Sequence, residues 1–208
     1  TPSKNFVDDQ ISRGKMLLNF LEKYISSKGR LLDVGSSVGG MMIPFINNGW
    51  EALGTDPDKD YVEFGKNHMN LPVLDIKAEK MKLENDFFDL IIIMGSLEHV
   101  YDPNKTLSIC KQAAKDGSFI LIEGRGHPQS SSKNYFNQNH HRYFTFNSME
   151  LILLKHGWEP ILTTDEPICG PSRPGGIYCL GKLNKKQPKS SINDIVRSGK
   201  RETPNQVL

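Results

Sequence analysis

Residues 31–40 read Leu31-Leu32-Asp33-Val34-Gly35-Ser36-Ser37-Val38-Gly39-Gly40. An apolar run that stops at a glycine has the pattern of a buried strand entering a tight turn. The stretch from Val38 to Asn48, closed by Gly49, predicts the helix that follows. Glycines at 35, 39 and 40 let the backbone pass close to a ligand, and a helix starting near Val38 turns its free N–H groups toward it. In open α/β sheets, ligands sit at the carboxyl ends of such strands.

The alternation extends in both directions. Upstream, Ile11, Met16, Leu17, Phe20, Leu21 and Tyr24 recur at helical spacing, which predicts an amphipathic helix from Asp8 to Ser27 ended by Gly29. Downstream, strands are expected over 50–55, 71–76, 88–94 and 118–123, with helices over 59–68 and 104–115. The unbroken run Leu90-Ile91-Ile92-Ile93-Met94 fits the centre of a parallel sheet covered on both faces. From Gly124 the periodicity stops for 23 residues, to Phe146. Polar stretches of this length are functional loops or disordered. A helix over 147–156 and strands over 158–164 and 177–183 follow.

Two carboxylates narrow the ligand. Asp56 ends the second predicted strand 21 residues after Gly35, a spacing at which an acid accepts both hydrogen bonds of a ribose diol. Alternatively it caps the helix at Lys59, next to Pro57. Ribose occurs in NAD and in S-adenosylmethionine alike. Asp33, two residues before the first glycine, repels a pyrophosphate and attracts an ammonium. Ser37 also occupies the middle glycine position of the dinucleotide fingerprint, so the second cofactor is favoured.

Composition bounds the rest. The chain has 208 residues, 37% hydrophobic and 24% charged, enough apolar material for one core. The net charge of +2 gives no reason to expect a nucleic-acid partner. It hides an asymmetry: residues 184–208 hold six basic and two acidic side chains, leaving 1–183 mildly acidic and predicting a mobile basic tail. Three cysteines without a C-x-x-C pair argue against a zinc or disulfide scaffold. No apolar run approaches the ~20 residues of a membrane span, and the chain opens on a polar stretch, so a reduced, cytoplasmic protein is expected. Nothing in the sequence specifies an oligomeric state.

At this point the sequence resembles the class I S-adenosylmethionine-dependent methyltransferases, over about residues 29–163. LLDVGSSVGG is similar to the family's first motif, GTDPD to its ribose-binding end of strand two, FFDLIIIMGSLEHVYDP to its fourth-strand motif and KDGSFILIEG to its fifth. The resemblance implies a Rossmann-like doubly wound α/β sheet, mostly parallel with an antiparallel C-terminal strand, in three αβα layers. It also implies S-adenosylmethionine as cofactor and S-adenosylhomocysteine as product. Carried over by position, Asp33, Gly35, Ser37 and Gly39 line the methionine part, Asp56 holds the ribose, Pro57 and Asp58 flank the adenine, and Met94 and Gly95 border the sulfonium. Lys77 stands where an adenine-binding acid is usual, so the N–H of Ala78 and the side chain of Ile76 or Glu79 take over that contact.

His99 is the first candidate base, since imidazole is the side chain suited to taking a proton at physiological pH and this one follows strand four at the ligand edge. Alternatively, Glu98-His99 braces the next segment. His140 and His141 are further catalytic candidates, and His127, Asn137, Asn139, Arg142 and Tyr143 supply donors and acceptors for a polar methyl acceptor. Gly95 replaces the acid that completes a divalent-metal set in some quinone-pathway relatives, so no metal is expected. Residues 1–28 form a helix over the cofactor site, with Phe6, Arg13 and Tyr24 as closing side chains. Residues 29–183 form the catalytic domain, with 124–146 as an acceptor-covering loop. The expected activity is methylation of oxygen or nitrogen in a small polar metabolite, a sugar or sugar nucleotide among the candidates. The alternatives are a quinone or aromatic precursor, or a binding module without turnover.

Overall fold

The computed structural model describes residues 1–126, 141–170 and 175–185. Seven strands, β1 (Arg30–Val34), β2 (Glu51–Asp56), β3 (Val73–Asp75), β4 (Phe88–Met94), β5 (Ala114–Arg125), β6 (Trp158–Thr164) and β7 (Gly176–Leu183), form one sheet in the order β3-β2-β1-β4-β5-β7-β6. Neighbours from β3 to β5 are parallel, while β7 runs antiparallel to both β5 and β6. The chain leaves β1 for β2 on one side and returns to β4 on the other. That reversal opens a crevice at the carboxyl ends of β1 and β4.

The helices are α1 (Lys4–Leu21), α2 (Ile43–Asn47), α3 (Lys59–Met69), α4 (Pro103–Ala113) and α5 (Phe146–Lys155). Alternate residues of the central strands feed two separate cores. Leu32, Val34, Ile91 and Ile93 face one side with Leu107 and Leu153, and Leu31, Leu90 and Ile92 face the other with Leu17, Leu21 and Phe45. A strand buried on both faces has no polar side to show, which explains the unbroken run in β4.

Several boundaries depart from expectation for local reasons. The first helix starts at Lys4, capped by the Ser3 hydroxyl on the Phe6 N–H, and ends at Leu21; tight turns from Lys23 and Tyr24 back to Phe20 and Leu21 end it well before Gly29. The helix expected from Val38 divides into a 3-10 turn over Gly40–Met42, preceded by Gly39 at φ 84°, and the short α2 with Pro44 in its first turn. The third strand begins only at Val73, because Pro72 has no N–H to give the ladder. Asp116 and Gly117, between the helix expected to 115 and the strand expected from 118, lie inside β5, as an irregularity where its pairing with β4 shifts register.

Candidate active site

The glycine turn after β1 is tied to the end of β2. The N–H groups of Gly35 and Ser36 donate to the Thr55 carbonyl at 2.7 and 3.0 Å, and the Ser37 N–H donates to Asp56 Oδ2 at 2.8 Å. Gly35 holds φ 78°, and a Cβ there would lie 2.4 Å from Ser96 Cβ, so only glycine lets the turns after β1 and β4 cross. The Ser96 hydroxyl closes that crossing by donating to the Val34 carbonyl at 2.8 Å.

Asp56 Oδ1 accepts the Asp58 N–H at 2.9 Å. The cap of α3 is Asp58, whose Oδ1 accepts from Asp60 and Tyr61. The capping alternative for Asp56 therefore passes to its neighbour two residues on. Each Asp56 oxygen keeps a lone pair for the cavity it borders, and burial raises its pKa despite those two backbone hydrogen bonds.

The cavity, of about 580 Å³, lies at the carboxyl edge of the sheet, within the ~300–1,000 Å³ usual for small-molecule sites. Of the residues named from sequence around the cofactor and acceptor, Gly35, Ser37, Asp56, Pro57, Ile76, Ala78, Glu79, Met94, Gly95 and His99 line it, and Asp58 does not. Asp33 is only 1% exposed and lies outside the lining, and its Oδ2 has no hydrogen bond among the described residues. Burial, then the charge of Asp56, push its carboxyl up to about 7, against the pull of Arg13. Gly39 also lies outside the lining; a Cβ there would meet Met42 and Val73 at 2.9 Å, so it serves the packing of the turn. His141 and Tyr143 are away from the lining, and His127, Asn137, Asn139 and His140 lie outside the described residues.

α1 supplies one wall through Phe6, Asp9, Gln10 and Arg13. Tyr24 does not take part; its ring packs on Phe20 with centroids 5.4 Å apart. Gln10 Oε1 accepts the Gly40 N–H at 3.0 Å. Arg13 Nη2 donates to Glu123 Oε2 at 2.9 Å in a pair whose side chains are 5% and 2% exposed, and Tyr178 donates to Glu123 Oε1 at 3.3 Å. Gln10 and Glu123 were not singled out in the sequence. The available signal is a glutamine and an arginine three residues apart on the buried face of α1, which is otherwise glycine and leucine.

These residues fit S-adenosylmethionine on three counts. The cavity is of the right size, its wall holds Ser36 Oγ, Ser37 Oγ and Arg13 Nε, which have no hydrogen-bond partner among the described residues, and a carboxylate stands at the end of β2 for a diol. Among the described residues no three His, Cys, Asp or Glu side chains gather as a metal-ligand set, and no helix is long and apolar enough to cross a membrane.

Residues 8–163 match the methyltransferase domain family. A ubiquinone biosynthesis O-methyltransferase of Coxiella burnetii is 30% identical over 111 residues, 50% of this chain and 47% of that protein. The chain thus matches about half the length of this curated relative. Among solved structures, a possible histamine N-methyltransferase of Thermotoga maritima superposes with a TM-score of 0.63 at 17% identity, over 84% of this chain and 92% of the other. The 1,6-didemethyltoxoflavin-N1-methyltransferase of Burkholderia thailandensis, solved with S-adenosylhomocysteine, gives 0.64 at 13% identity, over 83% and 78%. With the family match covering three quarters of the sequence, the chain belongs to the methyltransferase domain family and carries an S-adenosylmethionine-dependent methyltransferase domain.

Proposed function

We propose that this chain transfers the methyl group of S-adenosylmethionine to an oxygen or nitrogen of a small acceptor that enters beside His99. The carrying observation is one cavity that joins the ribose-directed Asp56, the glycine turn and the exposed edge of the loop after β4. Bound there, the cofactor supplies an activated methyl on sulfur. Asp56 takes the ribose hydroxyls, Ser37 and Gly35 border the methionine part, and Pro57, Ile76 and Ala78 the adenine. His99, at the rim, takes the acceptor proton on an imidazole nitrogen, and the wall from α1 keeps water from the reacting centre.

The support for a polar acceptor is the polar composition of residues 124–146 in the sequence. An aromatic hydroxylated acceptor has separate support: Tyr101 is 93% exposed, it lines the same cavity with Phe6 and Val100, and the curated relatives at 30% identity are named for quinone biosynthesis. An acceptor screen set against calorimetric titration with S-adenosylhomocysteine separates the readings. Sugar nucleotides turning over favours the first, catechols the second. A protein that binds the product tightly and methylates nothing is a binding module. No binding would falsify the methyltransferase reading.

A further inference from the structure

The loop between β4 and α4, which carries His99, is held by its backbone from two remote places. On one side stands Arg142, which lies outside the cavity lining although the sequence placed it among the acceptor-binding donors. Its Nη1 donates to the carbonyls of Leu97 at 2.9 Å and Val100 at 2.6 Å, and its Nη2 to that of Tyr101 at 3.4 Å. The neighbouring His141 N–H donates to the Glu98 carbonyl at 3.1 Å. On the other side Glu79 Oε1 accepts the N–H groups of Tyr101 at 2.6 Å and Asp102 at 3.1 Å. The N–H of His99 closes onto the Ser96 carbonyl at 3.0 Å.

Three carbonyl oxygens converging on one point form a site for a cation. The planar guanidinium of Arg142 serves all three with its fixed fork, and charged donors make the stronger bonds. Leu97 is fully buried, so its carbonyl has little access to water in place of Arg142. Between the two anchors the side chains of His99 and Tyr101 stay exposed and face the cavity. The cofactor contacts proposed for Ser37 and Asp56 sit on other turns and do not depend on Arg142.

We propose that Arg142 is a positioning residue: it fixes the loop that sets His99 against the acceptor, with Glu79 as the opposing anchor. This rests on the reading of His99 as the base. A base must lie within hydrogen-bond reach of the proton it takes, and a displacement of ~1 Å costs on the order of a hundredfold in rate. Arg142 acts on that distance from outside the cavity.

The test compares wild type, Arg142→Ala, Arg142→Lys and His99→Ala. The His99 ring resonance is followed by NMR in cofactor-free protein, S-adenosylhomocysteine affinity by calorimetry, and kcat with catechol and with the best acceptor of the screen. In Arg142→Ala the His99 resonance shifts and broadens, kcat falls about tenfold to a hundredfold, and affinity stays within about twofold. Added methylguanidinium moves the resonance back toward wild type. Arg142→Lys, which keeps charge but not the fork, shows the same separation in milder form and serves if the alanine variant fails to fold. A wild-type resonance in Arg142→Ala or Arg142→Lys overturns the proposal. So does an affinity loss that matches the loss in kcat, because that marks general damage. Unchanged turnover in His99→Ala removes the base but not the clamp, which the resonance then decides alone.

Discussion

Asp33 gives the sharpest prediction, because its burial has a pH signature that an isosteric variant isolates. Its pKa rises from 3.8 to about 7, so the folded state binds this proton more tightly than the unfolded chain does. Stability from this group is therefore full below the unfolded value, declines as pH rises through the window from 3.8 to about 7, and levels off above it. At about 1.4 kcal/mol per unit, keeping the carboxylate charged costs the folded protein about 4 kcal/mol above that window, and about 2 to 3 kcal/mol of this is felt between about pH 5 and 8. Asp33→Asn keeps the shape and removes the titration. Urea unfolding followed by the fluorescence of Trp50 and Trp158, both buried, should show Asp33→Asn gaining on wild type by that amount across this range. A stability gap between the two proteins that stays flat with pH refutes the assignment of a strained, nearly neutral carboxyl beneath the glycine turn.

Other perturbations follow from single contacts. Asp56→Ala removes the acceptor of the Ser37 and Asp58 N–H groups and the proposed ribose ligand, so calorimetry should show S-adenosylhomocysteine binding weakened at least tenfold, about 1.4 kcal/mol or more. Arg13→Ala leaves Glu123 charged and buried, and a loss of about 3 to 5 kcal/mol in chemical denaturation is expected; replacing Glu123 as well, by Gln, should recover part of it. Gly14→Ala puts a Cβ 2.3 Å from the Met41 carbonyl, pressing α1 off the turn it covers. The expected cost is about 1 to 3 kcal/mol, read as a lower melting temperature. Tyr101→Ala, at a side chain that is almost wholly exposed, should leave the melting temperature unchanged and raise KM for an aromatic acceptor but not for a sugar nucleotide.

The sheet was legible where one strand carries its own evidence. The central strands are apolar throughout because they are buried on both faces, and the glycines and acids at their ends mark the edge where a ligand fits. Glycine and acid spacing pointed to Gly35 and Asp56, the family resemblance added Ser37, and His99 followed from its place after strand four; all four line one cavity. Local chemistry was less legible where two residues compete for one role: Asp56 and Asp58 both stand ahead of α3, and only backbone direction decides which carboxylate turns to the helix. Long-range pairing was not legible at all. Arg13 and Glu123 are 110 residues apart, and Arg142 sits in a polar stretch whose composition suggests solvent or substrate, yet its guanidinium is bound by backbone carbonyls. Residues 127–140 and the basic segment from 186 onward lie outside the described residues.

The position of β7 between β5 and β6 also dictates an order of assembly. The parallel strands from β3 to β5 form a contiguous set within residues 30–125, and with α1 they contain every element that lines the cavity. β6 hydrogen-bonds to β7 and to no other strand among the described residues, so in synthesis it is made before the strand it pairs with. A nascent chain that has reached residue 165 already carries the ligand-binding half of the molecule, together with an unpaired strand that is open to aggregation. Cofactor captured at that stage would stabilise the first half while the second waits for residues 176–183 to close the gap.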